Sequence, residues 1–260
     1  MAGTRNSTTQ TVRKAFRLLQ CFGASDATSL GVTELSALTG WTQSTVSRLL
    51  SALQESGFVQ QDVATGRYRL GLQLITLAGA ALTSRALYSI GHSHLERLAA
   101  ASGETANLCI LDGDRVLCID EVEGIHPIKL SGWFGMRLPL YATAAGKVLL
   151  AALPQERRAA LLGQGLTGLT PHTLTDQERL VDELERALAH GYALNMEEMS
   201  EGLTALAAPV RNHTGQVVAA LTVAGPSFRL RDEHLDACII MVKDAAAAVS
   251  RALGHRTAVA

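Results

Sequence analysis

Apolar positions in the first quarter of the chain fall at helical spacing. Over residues 11–23, Val12, Ala15, Phe16, Leu19 and Phe22 lie three or four apart, which predicts a helix ended by Gly23 and packed through that stripe. A second short helix is expected over 32–39, with Thr33 as its N-cap, Leu35 and Leu38 facing inward and Gly40 as its stop. The third starts near Thr42, where Val46, Leu49, Leu50 and Leu53 make an i, i+3, i+4, i+7 stripe before Gly57. Two strand-like segments follow, 58–61 and 67–70, joined by a turn at Thr65-Gly66. Three helices and a hairpin in this order predict a winged helix-turn-helix over residues 1–71.

From Leu72 the pattern stays helical, with Leu74, Leu77, Ala78, Ala81 and Leu82 on one stripe. A linker helix is expected over 72–86, its aliphatic face suited to pairing with a symmetry mate in a two-fold dimer. A further helix runs through Leu95, Leu98 and Ala99 to Gly103. The remainder, 87–256, alternates strand and helix signals. Strands are predicted at 108–111 and 116–119 around Asp112-Gly113-Asp114, at 126–131, 192–196, 204–211 and 216–224; helices are predicted at 143–152, 154–163, 175–190 and 231–253. An antiparallel sheet packed with helices makes the fold class α+β.

Composition narrows the function. The chain has 260 residues, 47% of them apolar, enough for two cores and too apolar for disorder. Its longest apolar stretch, 138–153, is broken by Pro139, Gly146 and Lys147, so no membrane span is expected. The polar start MAGTRNSTTQTVRK lacks a secretory h-region, which implies the cytoplasm. Cys21, Cys109, Cys118 and Cys238 are scattered without zinc-ligand spacing, and neither metal nor cofactor is expected. Charge is uneven: residues 1–71 hold seven basic and four acidic side chains, a net of +3, while the rest nets −4. A small anion-binding module joined to a larger body fits that split.

Opposite the apolar stripe of the third helix lie Ser44, Ser47, Arg48 and Ser51, with Thr42, Gln43 and Thr45 in its first turn. Small polar groups and one guanidinium suit a helix that enters the major groove of double-stranded DNA. Arg67 and Arg69 on the hairpin are expected to meet phosphate. In the larger part, the strands around 204–210 and 217–224 carry small uncharged residues that leave room above the sheet, with Thr222, Thr204 and Asn195 as isolated polar groups. Such walls describe a small-molecule pocket. Thr143-Ala144-Ala145-Gly146 opens a helix whose free N–H groups suit a carboxylate.

Catalytic readings fare worse. Ala145-Gly146-Lys147 is P-loop-like, but Tyr141 stands where the pattern needs Gly and Val148 where it needs Ser or Thr. Glu197, Glu198 and Glu201 form an acidic cluster without a nearby nucleophile and base. A rival to the DNA-binding reading is a GAF-like redox enzyme using Cys109 or Cys118.

Three segments resemble the IclR family of bacterial transcriptional regulators: TQSTVSRLLSALQESGFVQQDVATGRYRLG, GMRLPLYATAAGKVLLAALP and NMEEMSEGLTALAAPVRNHTGQVVAALTVAGP. The resemblance implies a winged helix-turn-helix, a linker helix and a GAF-like effector domain, assembled as a homodimer or dimer of dimers on a palindromic operator. It implies a repressor modulated by a small-molecule effector, an organic or aromatic acid, and no enzyme. Its effector site maps onto Thr143, Ala144 and Ala145 and onto Asn195, Leu203, Ala205, Thr222 and Ala224, with Met136 and Leu140 as apolar walls. Trp41 departs from the pattern in the turn before the recognition helix, where it either buttresses the turn or contacts DNA. Asn195 stands where some relatives are acidic, and Ala205 where some have Cys.

Overall fold

A computed structural model describes residues 3–23, 28–77 and 86–256, without side-chain detail for 3–9 and 86. The chain divides into two compact units, Met1–Ser84 and Arg85–Ala260. The expected stripe of the linker helix falls largely at 78–85, outside the described residues; 73–77 are helical.

The first unit contains α1 (Gly3–Gly23), α2 (Val32–Thr39), α3 (Gln43–Glu55), β1 (Val59–Gln61) and β2 (Tyr68–Leu70). Its core gathers Leu18, Phe22, Leu35, Val46, Leu49, Leu50, Leu53, Val59 and Tyr68. The α1 stripe is only half right: Phe22 is buried and Ala15 and Leu19 pack partly buried against the core, whereas Val12 and Phe16 are exposed and the fully buried Leu18 lay outside the expected stripe. Thr33 does not cap α2. Gly31 is the N-cap, and its N–H donates to the Glu34 carboxylate at 2.6 Å, the reach-back half of a capping box. Gly40, in the left-handed region at φ 72°, closes α2 and opens the tight turn into α3. Within that turn Trp41 is half-buried against the core, and the Lys14 ammonium sits 5.4 Å from its ring centre. Trp41 therefore buttresses the turn.

The second unit begins with α4 (Ala86–Ser102), followed by β3 (Thr105–Asp112), β4 (Arg115–Val122), β5 (Arg137–Pro139), α5 (Ala144–Ala151), α6 (Gln155–Leu162), α7 (Gln177–His190), β6 (Ala193–Met196), β7 (Leu203–Arg211), β8 (Val217–Pro226) and α8 (Asp232–Ala252). The six strands form one antiparallel sheet in the order β5-β4-β3-β8-β7-β6. Strand period decides the layers. Leu108 meets Gly91 of α4 on one face, while Asn107 and Cys109 point to the other, where α5 lies.

One predicted strand is absent. Residues 126–131 form a loop whose carbonyls are bonded by side chains instead of a neighbouring strand: Thr105 Oγ1 donates to the Leu130 carbonyl at 2.5 Å, and Arg229 Nη2 to that of Ile128 at 2.9 Å. Arg229 also holds the fully buried Glu104 in a bidentate ion pair, which anchors this loop to the start of α8.

Candidate functional site

The DNA-facing candidates sit on α3 and the wing. Thr42 caps α3, its hydroxyl accepting from the Thr45 N–H at 3.4 Å, and also lies 3.1 Å from Ser44 Oγ. Gln43, Ser44, Ser47 and Arg48 are exposed, and Thr45 is half-buried. Arg48 makes no hydrogen bond or ion pair among the described residues, so its guanidinium is available to a partner. The two wing arginines differ. Arg69 is exposed and donates to Gln60 Oε1 across the hairpin at 3.1 Å. Arg67, expected at phosphate, is engaged inside the unit: Nε donates to Ser29 Oγ at 3.0 Å, Nη2 to the Ser29 carbonyl at 2.7 Å, and Nη2 pairs with Glu34 at 2.8 Å. Its chemistry is that of a clamp between wing and α2.

The second candidate is a cavity of about 40 Å³ between α5 and the sheet. Thr143 positions it. This residue caps α5 by accepting from the Gly146 N–H at 3.1 Å and donates its hydroxyl proton to the Pro139 carbonyl at 2.8 Å. Gly146 is required here, since a Cβ would run into the backbone of Leu140. Ala144 and Ala145, whose N–H groups a helix start cannot satisfy internally, both line the cavity.

Of the residues expected in the pocket, Thr143, Ala144, Ala145, Asn195, Leu203, Ala205, Thr222 and Ala224 line it. Met136 and Leu140 do not. Leu138 of β5 is buried and lines the cavity, whereas Met136, which precedes the strand, is 47% exposed and Leu140 borders a neighbouring cleft. Asn195 lines the wall, but its polar atoms are taken: Nδ2 donates to the Ala142 carbonyl at 2.9 Å and Oδ1 accepts from the Glu198 N–H at 2.8 Å. A carboxylate could not donate the first of these bonds, which accounts for an amide at this position.

Sequence reasoning missed Asn107, Cys109, Val116, Cys118, Trp133, Leu138 and Met199. Asn107 is the informative omission. It faces Thr222 directly across β3 and β8, and the two are 5% and 6% exposed. Neither Asn107 Nδ2 nor Thr222 Oγ1 has a hydrogen-bond partner among the described residues. An amide between Ala106 and the apolar run Leu108–Leu111 was the signal that could have found it.

Lys147 is the other omission. Only 1% exposed, it points away from the cavity; its Nζ donates to the Leu194 carbonyl at 2.9 Å and to Glu198 Oε1 at 2.5 Å, with Glu183 at 3.8 Å. Burial pushes the Glu198 carboxyl up from its ordinary range, against the pull of the Lys147 ammonium. This buried pair explains the P-loop-like lysine as internal structure. The acidic cluster is likewise dispersed, for Glu197 is held below its ordinary range by the Gly202 N–H and then Ser227.

Two comparisons identify the architecture. The pattern of the bacterial transcriptional regulator IclR C-terminal domain matches residues 79–251, and that of the IclR helix-turn-helix domain matches 11–63. The chain belongs to the IclR family. It is a transcriptional regulator with a DNA-binding helix-turn-helix domain and a C-terminal effector-binding domain. It is 36% identical over 247 residues to the HTH-type transcriptional regulator XynR of Escherichia coli (strain K12), covering 95% of this chain and 98% of that protein. To the HTH-type transcriptional repressor AllR of the same strain it is 34% identical over 246 residues, covering 94% and 90%. The crystal structure of an IclR transcriptional regulator from Alicyclobacillus acidocaldarius aligns over 94% of this chain and 99% of that one, with TM-score 0.85 and 29% identity. The α+β architecture expected from the sequence is thus that of the IclR family. No helix among the described residues is long and apolar enough to cross a membrane.

Proposed function

We propose that this IclR-family chain is a cytoplasmic repressor that binds a palindromic operator as a homodimer or dimer of dimers and responds to a small organic acid. In this reading residues 1–71 are the DNA-binding domain, 72–86 the linker helix and 87–256 the effector domain. Gln43, Ser44, Ser47 and Arg48 enter the major groove, with Thr42 and Thr45 in the turn that leads in. Arg69 meets phosphate, while Arg67 supports the wing. Exposed Val12 and Phe16 on α1 and Leu72 and Ile75 beyond the wing support self-association, since apolar side chains of this size are ordinarily covered in a homodimer.

One observation carries the effector reading: a cavity with no charged side chain is lined by Asn107, whose Nδ2 is unpartnered among the described residues, by the likewise unpartnered Thr222 hydroxyl and by the two residues that open α5. A carboxylate at Ala144 and Ala145 needs no arginine there, because the helix end supplies donors and positive potential. Asn107 and Thr222 then select for a second polar group on the ligand. At ~10–15 Å³ per water, the cavity holds about three waters. That favours a compact acid; an aromatic acid requires half-buried Trp133 and Met199 to move. Met199 borders both this cavity and the neighbouring cleft, and its flexible thioether suits a way in. Thermal-shift screening against small carboxylic acids tests the reading: stabilisation by at least one acid, reduced in Thr222→Val, is expected, and a flat response across the series would refute it.

A further inference from the structure

The wall of the cavity contains two thiols in an arrangement that the effector reading does not use. Cys109 on β3 and Cys118 on β4 are direct partners in the antiparallel ladder, both buried, both facing the cavity and both reduced. Cys118 spends its backbone groups on the far edge of β4: its N–H donates to the Met136 carbonyl at 3.2 Å, and its carbonyl accepts from the Gly135 N–H at 2.8 Å. Toward β3 it is therefore a non-hydrogen-bonded position. In such pairs opposed Cα atoms lie ~4.5 Å apart with side chains at their closest. A disulfide spans Cα separations of ~4.4–6.8 Å, a range that includes directly opposed partners such as these, which sit beside a register shift between Leu108 and Cys109.

We propose that Cys109 and Cys118 are a peroxide-sensitive dithiol that closes to a cross-strand disulfide in the wall of the cavity. The oxidant is a small hydroperoxide, hydrogen peroxide in the simplest case. The Cys118 sulfur, as thiolate, attacks one peroxide oxygen; the O–O bond breaks, leaving a sulfenic acid, and the departing oxygen takes up a proton to leave as water. The Cys109 sulfur then attacks the sulfenic sulfur, the S–O bond breaks and a second water leaves. Two thiols have lost two electrons and two protons, and the peroxide has gained them. Cys109 acts second because its neighbour's thiol, and then burial, hold its ionisation well above the ordinary thiol range. Burial selects the oxidant, since thiols 5% and 1% exposed are reached by a small hydroperoxide and not by a bulky disulfide such as oxidised glutathione. The bond also removes the thiol that contacts Asn107 Oδ1 at 3.6 Å, which alters the polar wall facing a ligand.

The test is peptide mapping of the full-length protein after hydrogen peroxide, with free thiols alkylated under denaturing conditions. Trypsin cuts after Arg97, Arg115 and Lys129, so the two cysteines fall in separate peptides, 98–115 and 116–129. Expected is loss of both alkylated peptides together and appearance of their linked form, reversed by dithiothreitol and not produced by oxidised glutathione. Cys109→Ala should stop at a dimedone-reactive sulfenic acid on Cys118. The proposal is overturned if 98–115 and 116–129 stay alkylated while Cys21 oxidises, if either cysteine links to Cys21 or Cys238, or if both end as sulfinic acids. Wild-type mapping decides the matter even should the variant not fold. It is also independent of the effector: a linked peptide in a chain that no acid stabilises would sink the effector reading and leave this one standing.

Discussion

The two candidate sites of this IclR-family regulator solve opposite problems. On α3, function requires side chains that protein does not satisfy: Gln43, Ser44, Ser47 and Arg48 are exposed, and Arg48 is unpartnered among the described residues. In the cavity, function requires groups hidden from water yet also unsatisfied, which is far more costly and tolerable only inside a tightly determined frame. The carboxylates near each site show the same contrast. Glu34 is exposed, and the Gly31 N–H, then the Arg67 guanidinium, hold it below its ordinary 4.5; Glu198 is buried, and burial raises it. An exposed site can be built from one helix face. The cavity draws its lining from all six strands and the start of α5, so damage to its frame should cost more than damage to the exposed face of α3.

The largest effect should come from that frame. Lys147→Met leaves the Glu198 carboxylate buried without its cation and should destabilise the effector domain by about 3–5 kcal/mol in denaturant unfolding; a loss no greater than that of a surface substitution would erase the contrast. Gly146→Ala comes next, at about 1–3 kcal/mol or more from overpacking against Leu140, with acid-induced stabilisation lost. On the exposed side, Arg48→Ala should leave the melting temperature unchanged and cost about 1–3 kcal/mol on the operator alone, measured by fluorescence anisotropy. Arg67→Ala should do the reverse, lowering stability of the DNA-binding domain while the salt dependence of binding stays the same.

The smallest effect is in pH. Glu34, whose folded pKa is lowered, contributes stability present above its unfolded value and lost as pH falls through the folded one. Glu198, whose folded pKa is raised, contributes in the other direction: it favours the folded state at low pH, and this fades as pH rises from 4.5 through the raised value. Glu197 of the effector domain is lowered like Glu34, so acidification should weaken both units, with Glu198 opposing the loss in the second alone. Hydrogen exchange followed between about pH 3 and 6 checks this, and Glu34→Gln should reduce the acid sensitivity of the first unit, leaving the part owed to Asp62.

Legibility followed the same divide. The helix α3 was readable because its apolar stripe and polar face are local periodicities, and the elements of the winged head were placed within a few residues except for the start of α1, expected at 11 and found at Gly3. Arg67 was misread because its partners, Ser29 and Glu34, are distant in sequence; charge alone does not tell a clamp from a phosphate contact. In the cavity, Thr222 and the start of α5 were found from small uncharged strands and a helix-start pattern, and Leu203, Ala205 and Ala224 through the family resemblance. Asn107, Cys109 and Cys118 were not, since which face of β3 and β4 they occupy depends on sheet order and on the irregularity in register beside Cys109. The false strand at 126–131 failed for a related reason. Its β-like composition is real, but side chains of Thr105 and Arg229 hold its carbonyls in place of a neighbouring strand.

Binding of this protein to DNA from upstream of its own gene, titrated by anisotropy with and without a stabilising acid, tests the central claim most directly. Coupling between the two sites predicts a change in affinity of about 5-fold or more in the wild type and a much smaller one in Thr222→Val, whose DNA affinity without acid is unchanged. Equal affinity with and without every acid that stabilises the fold, or the same shift in both proteins, would contradict it.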